Sequence, residues 1–289
     1  VSVASTVRLA DKAKLSRPKL SWPKLSWPKL SWPKLSWPNI SDQRWLSPLI
    51  LLAAWEVASL AGWIPSRILA APSAVLQTFW RLTADWELPS ALAVSLARMG
   101  VGLAIGVTTG SALALVAGLS KLGETLVDPP LQIIRPLPTL ALTPLFIVWL
   151  GIGETPKIAL IALGVTFPVY LNLFNAIRSV DPRLMEAGRS FGLRGWGLIA
   201  NVVLPGAMPG FLVGLRYALS VALLILVVAE QINASAGLGY LINNARDFMQ
   251  TDVIVVCLLV YALLGLAADS FVRAIERRLL VWRPAFLKS

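Results

Sequence analysis

The sequence predicts an all-α, polytopic membrane protein, on three observations. Of its 289 residues, 56% belong to the AVILMFWYC set before 20 glycines are added, against about 45–50% with glycine included in a soluble chain. Charged residues make up 14% where about 25% is usual, too few to cover the surface of a soluble domain. The apolar residues also gather into runs of about 20, the length that crosses a bilayer as a helix.

Six such spans are predicted, at 46–62, 94–118, 130–150, 157–177, 208–229 and 252–271. The first contains Pro48 and Glu56. The third holds Arg135, Pro136, Pro138 and Pro144, and it is expected to kink because proline lacks an amide donor and clashes with the preceding turn. Two shorter stretches read as interfacial or re-entrant. One runs from Ile68 to Trp80; the other sets Leu238, Leu241, Ile242 and Ala245 on one helix face.

Residues 1–44 differ from all that follow. From Pro18 to Trp37 the pentapeptide Pro-Lys-Leu-Ser-Trp occurs four times, then decays into Pro38-Asn39-Ile40-Ser41. A proline every fifth residue forbids a continuous helix, and that period matches neither helix nor strand. The stretch reads as a disordered or polyproline-like leader, without the apolar core and cleavage site of a signal peptide, and is expected to stay uncleaved. Its lysines and tryptophans suit contact with membrane lipid; an inert repeat expansion is the alternative.

Orientation follows from lysine and arginine. With the N-terminus in the cytoplasm, the inside segments 1–45, 119–129, 178–207 and 272–289 hold nearly all of the cations that lie outside the spans. The outside segments hold only Arg67, Arg81 and Arg246. Both termini and the loop at 178–207 are therefore expected to be cytoplasmic.

Several chemistries are excluded. No histidine is present and Cys257 is the single cysteine, so Ser-His triads, histidine zinc sites and cysteine clusters have no residues to build on. No Gly-Lys dipeptide and no G-x-S-x-G occur, which removes the Walker A loop and the nucleophile elbow. The chain is not expected to hydrolyse ATP, bind a metal or cofactor, or recognise nucleic acid.

The loop between the fourth and fifth spans carries the most specific signal. Asp181 is a natural N-cap, and Pro182 fits the first helical position. Leu184, Ala187, Gly188 and Phe191 then share a face, and Gly192 can take the left-handed conformation that ends a helix. A second short segment, Gly195 to Val203, is expected to stop at Pro205. This helix–turn–helix is either a solvated connector or a docking element for a cytoplasmic partner.

Glu186-Ala187-Gly188, three residues, Gly192, nine residues, then Val202-Val203-Leu204-Pro205 resembles the EAA loop of ABC-importer membrane subunits. That pattern is E-A-A, three residues, G, nine residues, I-x-L-P; the departures, Gly188 and Val202, are both small. From about Leu46 onward the chain is similar to permeases of the nitrate/taurine/sulfonate branch, and within it to the aliphatic sulfonate permease. The supporting stretches are Gly151-Ile152-Gly153-Glu154, Phe167-Pro168-Val169-Tyr170, Ala229-Glu230-Gln231-Ile232, Gly237-Leu238-Gly239-Tyr240-Leu241 and Gln250-Thr251-Asp252-Val253.

The resemblance implies a type I ABC importer permease fold of six transmembrane helices over residues 45–289, in a bacterial inner membrane. It also implies partners: a second permease copy, two cytoplasmic ABC ATPase subunits and an extracytoplasmic substrate-binding protein. Asp181, Glu186, Ala187, Gly188, Gly192, Leu204 and Pro205 would then couple the permease to ATP hydrolysis by its partner. Taurine, nitrate or another small anion is the alternative cargo, and an ATP-independent secondary transporter the alternative class. The chain shows none of the internal symmetry that a secondary transporter predicts.

Two further groups of residues are singled out. Gly102, Gly106 and Gly110, and again Gly206, Gly210 and Gly214, repeat every fourth residue. Such stripes let helix backbones approach closely in lipid, within one subunit or between two. Glu56, Arg98, Arg135, Arg216, Glu230 and Asp269 are ionisable groups in or near spans, each costly there unless paired or wetted. Near the span ends, snorkelling or structural pairing accounts for Arg98, Glu230 and Asp269, and Glu56 can face an adjacent helix. Arg135 and Arg216 are expected deeper, at about equal depth from the cytoplasmic end, and with Glu230 form the candidate translocation path. A guanidinium fork suits a sulfonate oxyanion.

Deleting residues 1–40 is expected to leave uptake by the assembled transporter intact. Abolished transport in a correctly inserted deletion overturns that expectation.

Overall fold

The computed structural model describes residues 46–282, so the repeat leader lies outside the described residues. Every regular element described is helical: α1 (Leu46–Leu60), α2 (Pro72–Ala84), α3 (Glu87–Leu119), α4 (Lys121–Ile134), a 3-10 turn (Thr139–Leu142), α5 (Thr143–Leu150), α6 (Glu154–Arg178), α7 (Pro182–Ser190), α8 (Trp196–Leu198), a π turn (Ile199–Val203), α9 (Leu204–Asn233), α10 (Leu238–Asp247) and α11 (Thr251–Leu279).

Four helical stretches are long and apolar enough to cross a membrane: Glu87–Leu119, Glu154–Arg178, Trp196–Ile232 and Thr251–Leu279. They correspond to the second, fourth, fifth and sixth predicted spans. The third is broken, because α4 and residues 139–150 meet at 84° across Pro136 and Pro138. The first is α1, whose 15 described residues include none that is buried. The two shorter stretches are helices as well, α2 and α10, and α10 buries Leu238, Ile242 and Ala245.

Two boundaries differ from expectation for local reasons. α4 starts at Lys121 and not near residue 130, because the Ser120 hydroxyl caps it by accepting from the Gly123 amide at 2.9 Å. Arg135 is therefore the C-terminal cap of α4, not a residue one turn and a half into a span. Pro205 does not end the segment before it. It lies where the π turn passes into α9, and the helical path runs through it without a stop. Equal depth for Arg135 and Arg216 no longer follows.

At the centre α6 is held between α3 and α9, and both glycine stripes face it. A Cβ on Gly106 would lie 2.6 Å from the Ala162 carbonyl oxygen and from Val165; on Gly110, 2.7 Å from the Thr166 carbonyl. On Gly102 it would meet Ile161 at 2.7 Å. From the other side, Gly210 lies against Ala176 and Gly214 against Asn172 and the Pro168 carbonyl, with Gly206 resting on Val180. Both stripes are thus used within this one chain. The close approach also lets the Thr109 and Thr166 hydroxyls meet at 3.0 Å, and α6 buries Leu160, Ile161, Val165, Val169 and Tyr170 completely.

The Gly106→Ala substitution is expected to destabilise the fold by about 1–3 kcal/mol, because the backbone oxygen it meets cannot rotate away. The Gly100→Ala change meets nothing within 4 Å and should leave thermal unfolding of the detergent-solubilised protein unchanged or slightly raised. Equal melting temperatures for the two variants would contradict the packing described.

Candidate functional site

The loop at 181–205 is built by short-range capping. The Asp181 carboxylate accepts from the Arg183 amide at 2.8 Å, with Pro182 in the first turn of α7. At the other end Gly192 adopts φ +84°. The Gly192 amide donates to the Arg189 carbonyl at 2.9 Å and the Leu193 amide to the Gly188 carbonyl at 3.0 Å, the paired bonds of a glycine-terminated helix. Gly188, the departure from alanine, is buried, and a Cβ there would approach Leu198 at 2.8 Å and Val202 at 3.0 Å. Glycine therefore lets α7 lie against α8 and the π turn.

What this loop leaves open is a set of apolar side chains among charged ones, since Arg183, Arg189 and Arg194 are exposed as well. Leu184, Phe191 and Trp196 are exposed, and Glu186 and Ala187 are exposed beside them. On the inner side Met185 packs against the buried cluster that includes Val203, Ala207 and Tyr170. Leu204 is half-buried and Pro205 exposed. The face predicted for Leu184, Ala187, Gly188 and Phe191 is thus split, with the glycine turned inward.

A second site lies where α3, α6, α9, α10 and α11 converge. Glu230 is 1% exposed. Its carboxylate accepts from the Ser95 hydroxyl at 2.8 Å, Arg98 Nη1 at 2.7 Å, the Gly239 amide at 2.9 Å and the Tyr261 hydroxyl at 3.2 Å. Arg98 Nη1 also donates to the Ala236 carbonyl at 2.6 Å. Its Nε and Nη2 both engage the Glu154 carboxylate, Nη2 at 2.8 Å from Oε1. Lys157 Nζ donates to the same Oε1 at 3.0 Å. The four charges sum to zero.

The cluster also starts α10. The Leu238 amide donates to Ser95 Oγ at 2.9 Å and the Gly239 amide to Glu230, so two orphan donors of the helix N-terminus are met by neighbouring helices. Glycine is required here. Gly237 has φ +113°, and a Cβ on it would lie 2.6 Å from Glu230 Oε1 and 2.7 Å from Arg98 Nη1. On Gly239 it would reach Glu230 Cβ at 2.5 Å.

The candidate path residues are not gathered here. Glu230 is sealed by four donors, so it ties helices together and does not line an open route within this chain. Arg216 is bridged to Asp269 at 3.2 Å and Glu276 at 3.0 Å on α11, which neutralises it structurally. Arg135 is exposed beside the bend after α4. Glu56 accepts from the Ser73 amide at 3.1 Å, at the start of α2. Sequence reasoning does not single out Ser95, Glu154, Lys157 or Tyr261 as site residues, whereas the structural pairing it expects of Arg98 and Glu230 is present, each with the other. Their signal was charge balance: a buried arginine and lysine near one end of α3 and α6 require carboxylates at that same end.

Residues 102–281 match the family model described as the binding-protein-dependent transport system inner membrane component. The chain is 48% identical over 242 residues to the putative aliphatic sulfonates transport permease protein SsuC of Escherichia coli (strain K12), covering 84% of this chain and 92% of that one. The protein of the same description in Bacillus subtilis (strain 168) is 42% identical, with coverages of 83% and 87%. The taurine transport system permease protein TauC of Escherichia coli (strain K12) is 34% identical, with coverages of 81% and 86%. Among solved structures, that of an amino acid ABC transporter with histidines superposes with a TM-score of 0.54 at 20% identity, over 65% of this chain and 92% of that one, a likeness of fold. The chain therefore belongs to the inner membrane components of binding-protein-dependent transport systems and has the type I ABC importer permease fold.

Proposed function

We propose that this chain is the membrane subunit of an ATP-driven importer that carries organic sulfonates inward by alternating access. The observation that carries the cargo is the order of likeness: 48% and 42% identity to relatives described as aliphatic sulfonate permeases, against 34% to a taurine permease. In this reading two copies of the chain enclose the route, a binding protein delivers substrate outside, and two ATPase subunits supply and hydrolyse ATP. The loop at 181–205 and both termini face the cytoplasm.

Coupling follows from how the loop is built. Leu184, Phe191 and Trp196 offer an ATPase subunit apolar contacts, flanked by the charges of Glu186, Arg183, Arg189 and Arg194. Gly188 and Gly192 fix α7 against α8 and the π turn, which runs directly into α9. A push on the loop is thereby passed to α9 as a displacement of a packed unit, and not absorbed in a slack connector. Arg135, at the bend after α4, is the residue we keep on the route.

Uptake by the complete reconstituted complex tests the cargo. Ethanesulfonate is expected to be taken up in preference to taurine and nitrate, and preference for either of the others moves the chain to that branch of the alternatives. For the loop, the Gly192→Val substitution places a β-branched residue in the left-handed region, at a cost of about 1 kcal/mol or more. Transport should be lost with normal membrane insertion, whereas unchanged uptake together with unchanged ATPase association would remove the loop from coupling.

A further inference from the structure

Glu154 differs from its partners in the buried cluster. Its side chain is 52% exposed, whereas those of Arg98 and Lys157 are each 4% exposed and that of Glu230 is fully enclosed. The segment before it is also open: Gly151 and Gly153 have φ +79° and +153°, and a Cβ on either would meet nothing within 4 Å. Apart from its place at the start of α6, the Glu154 carboxylate is held by Arg98 and Lys157 alone.

The donors it occupies are aimed at one oxyanion. The Nε and Nη2 edge of Arg98 is a planar fork of the kind that binds two oxygens of a carboxylate or sulfonate side by side. Lys157 Nζ adds a third donor, converging with Nη2 on the same oxygen at 3.0 Å and 2.8 Å. Arg98 cannot follow a departing Glu154, because Nη1 is tied to Glu230 and to the Ala236 carbonyl.

We propose that Arg98 and Lys157 form a binding site for the sulfonate head group, and that Glu154 fills it as an internal placeholder until substrate displaces it. The proposal rests on the importer reading above and deepens it. Charge accounting favours the exchange: one monovalent anion replaces another, so the buried cations are never left uncompensated, which is the costly outcome in a low-dielectric interior. The released Glu154 turns towards the side on which it is already exposed. An affinity lowered by self-occupation is a familiar consequence, since only the fraction of molecules with the site vacant can bind.

The test is equilibrium binding of ethanesulfonate to the permease–ATPase complex in nanodiscs without binding protein, with ethanol as the uncharged control. The Glu154→Gln variant removes the competing charge. It should bind ethanesulfonate more tightly than wild type, by about tenfold where roughly one molecule in ten has the site vacant, with ethanol binding unchanged. Adding Lys157→Met to that variant should abolish the gain. Unchanged or weaker binding in Glu154→Gln overturns the proposal, as does a gain that survives Lys157→Met. If Glu154→Gln fails to assemble, Glu154→Asp, which retains the charge on a shorter arm, takes its place: tighter binding supports the site and equal or weaker binding overturns it. Wild-type uptake of ethanesulfonate by the complete complex separates the two levels. Uptake without any gain in the variants sinks the placeholder alone, and no uptake of any sulfonate sinks the importer reading with it.

Discussion

The close approach of α6 to α3 and α9 is the constraint on which the rest of the structure depends. In lipid no hydrophobic drive pulls helices together, so association rests on close packing and interhelical polar contacts. Five glycines provide the packing, Gly102, Gly106 and Gly110 on α3 and Gly210 and Gly214 on α9, and each lets an atom of α6 come where a side chain would otherwise stand. The threonine pair at 109 and 166 then becomes possible, as does complete burial of Val165 and Tyr170. Tyr170 in turn donates its hydroxyl to Asp128 at 2.8 Å, which fastens the middle of α4 to α6.

Polar contacts do at one end of the bundle what glycines do along its length. Arg98, Glu154, Lys157 and Glu230 are expensive singly and tolerable as a neutral set in which each cation is hydrogen-bonded to a carboxylate. The same set positions α10, whose first amides are received by Ser95 and Glu230. Glycine recurs at 237 and 239 because the charged side chains stand where a Cβ would go. The short stretch Gly237-Leu238-Gly239 is therefore a consequence of the buried ion pairs, and not merely a turn signal.

Much of this was legible in the sequence and some was not, for identifiable reasons. The four long helices follow from apolar runs, and the break in the third follows from Pro136 and Pro138. Its beginning was missed because Lys121, Glu124 and Asp128 make α4 amphipathic, which a search for uniformly apolar runs passes over. Pro205 read as a stop because a proline after a short helical segment usually is one; here a π turn precedes it and the helical path continues. Both glycine stripes were visible, but their common partner was not, since periodicity names a face and says nothing of what it meets. The charged cluster was least legible. Its members lie more than 130 positions apart in the case of Arg98 and Glu230, and no local pattern links them.

α9 joins the two candidate sites physically. It begins where the π turn leaves the loop at 181–205, and ends three residues past Glu230; at about 1.5 Å per residue its 30 residues span about 45 Å. Near the loop it meets α6 at Gly210 and Gly214, where the two backbones lie in close apolar contact. Near the far end it is held by directional bonds from Ser95, Arg98, Gly239 and Tyr261, contacts that tolerate little displacement before they break. Directional bonds break over shorter displacements than apolar contacts do, so a movement imposed on the helix is felt first at that far end. In the proposed cycle, motion entering through the loop would therefore be felt as strain on the Arg98–Glu230 pair. The half-exposed Glu154, bound only through the two buried cations, is the member of the cluster that can yield first.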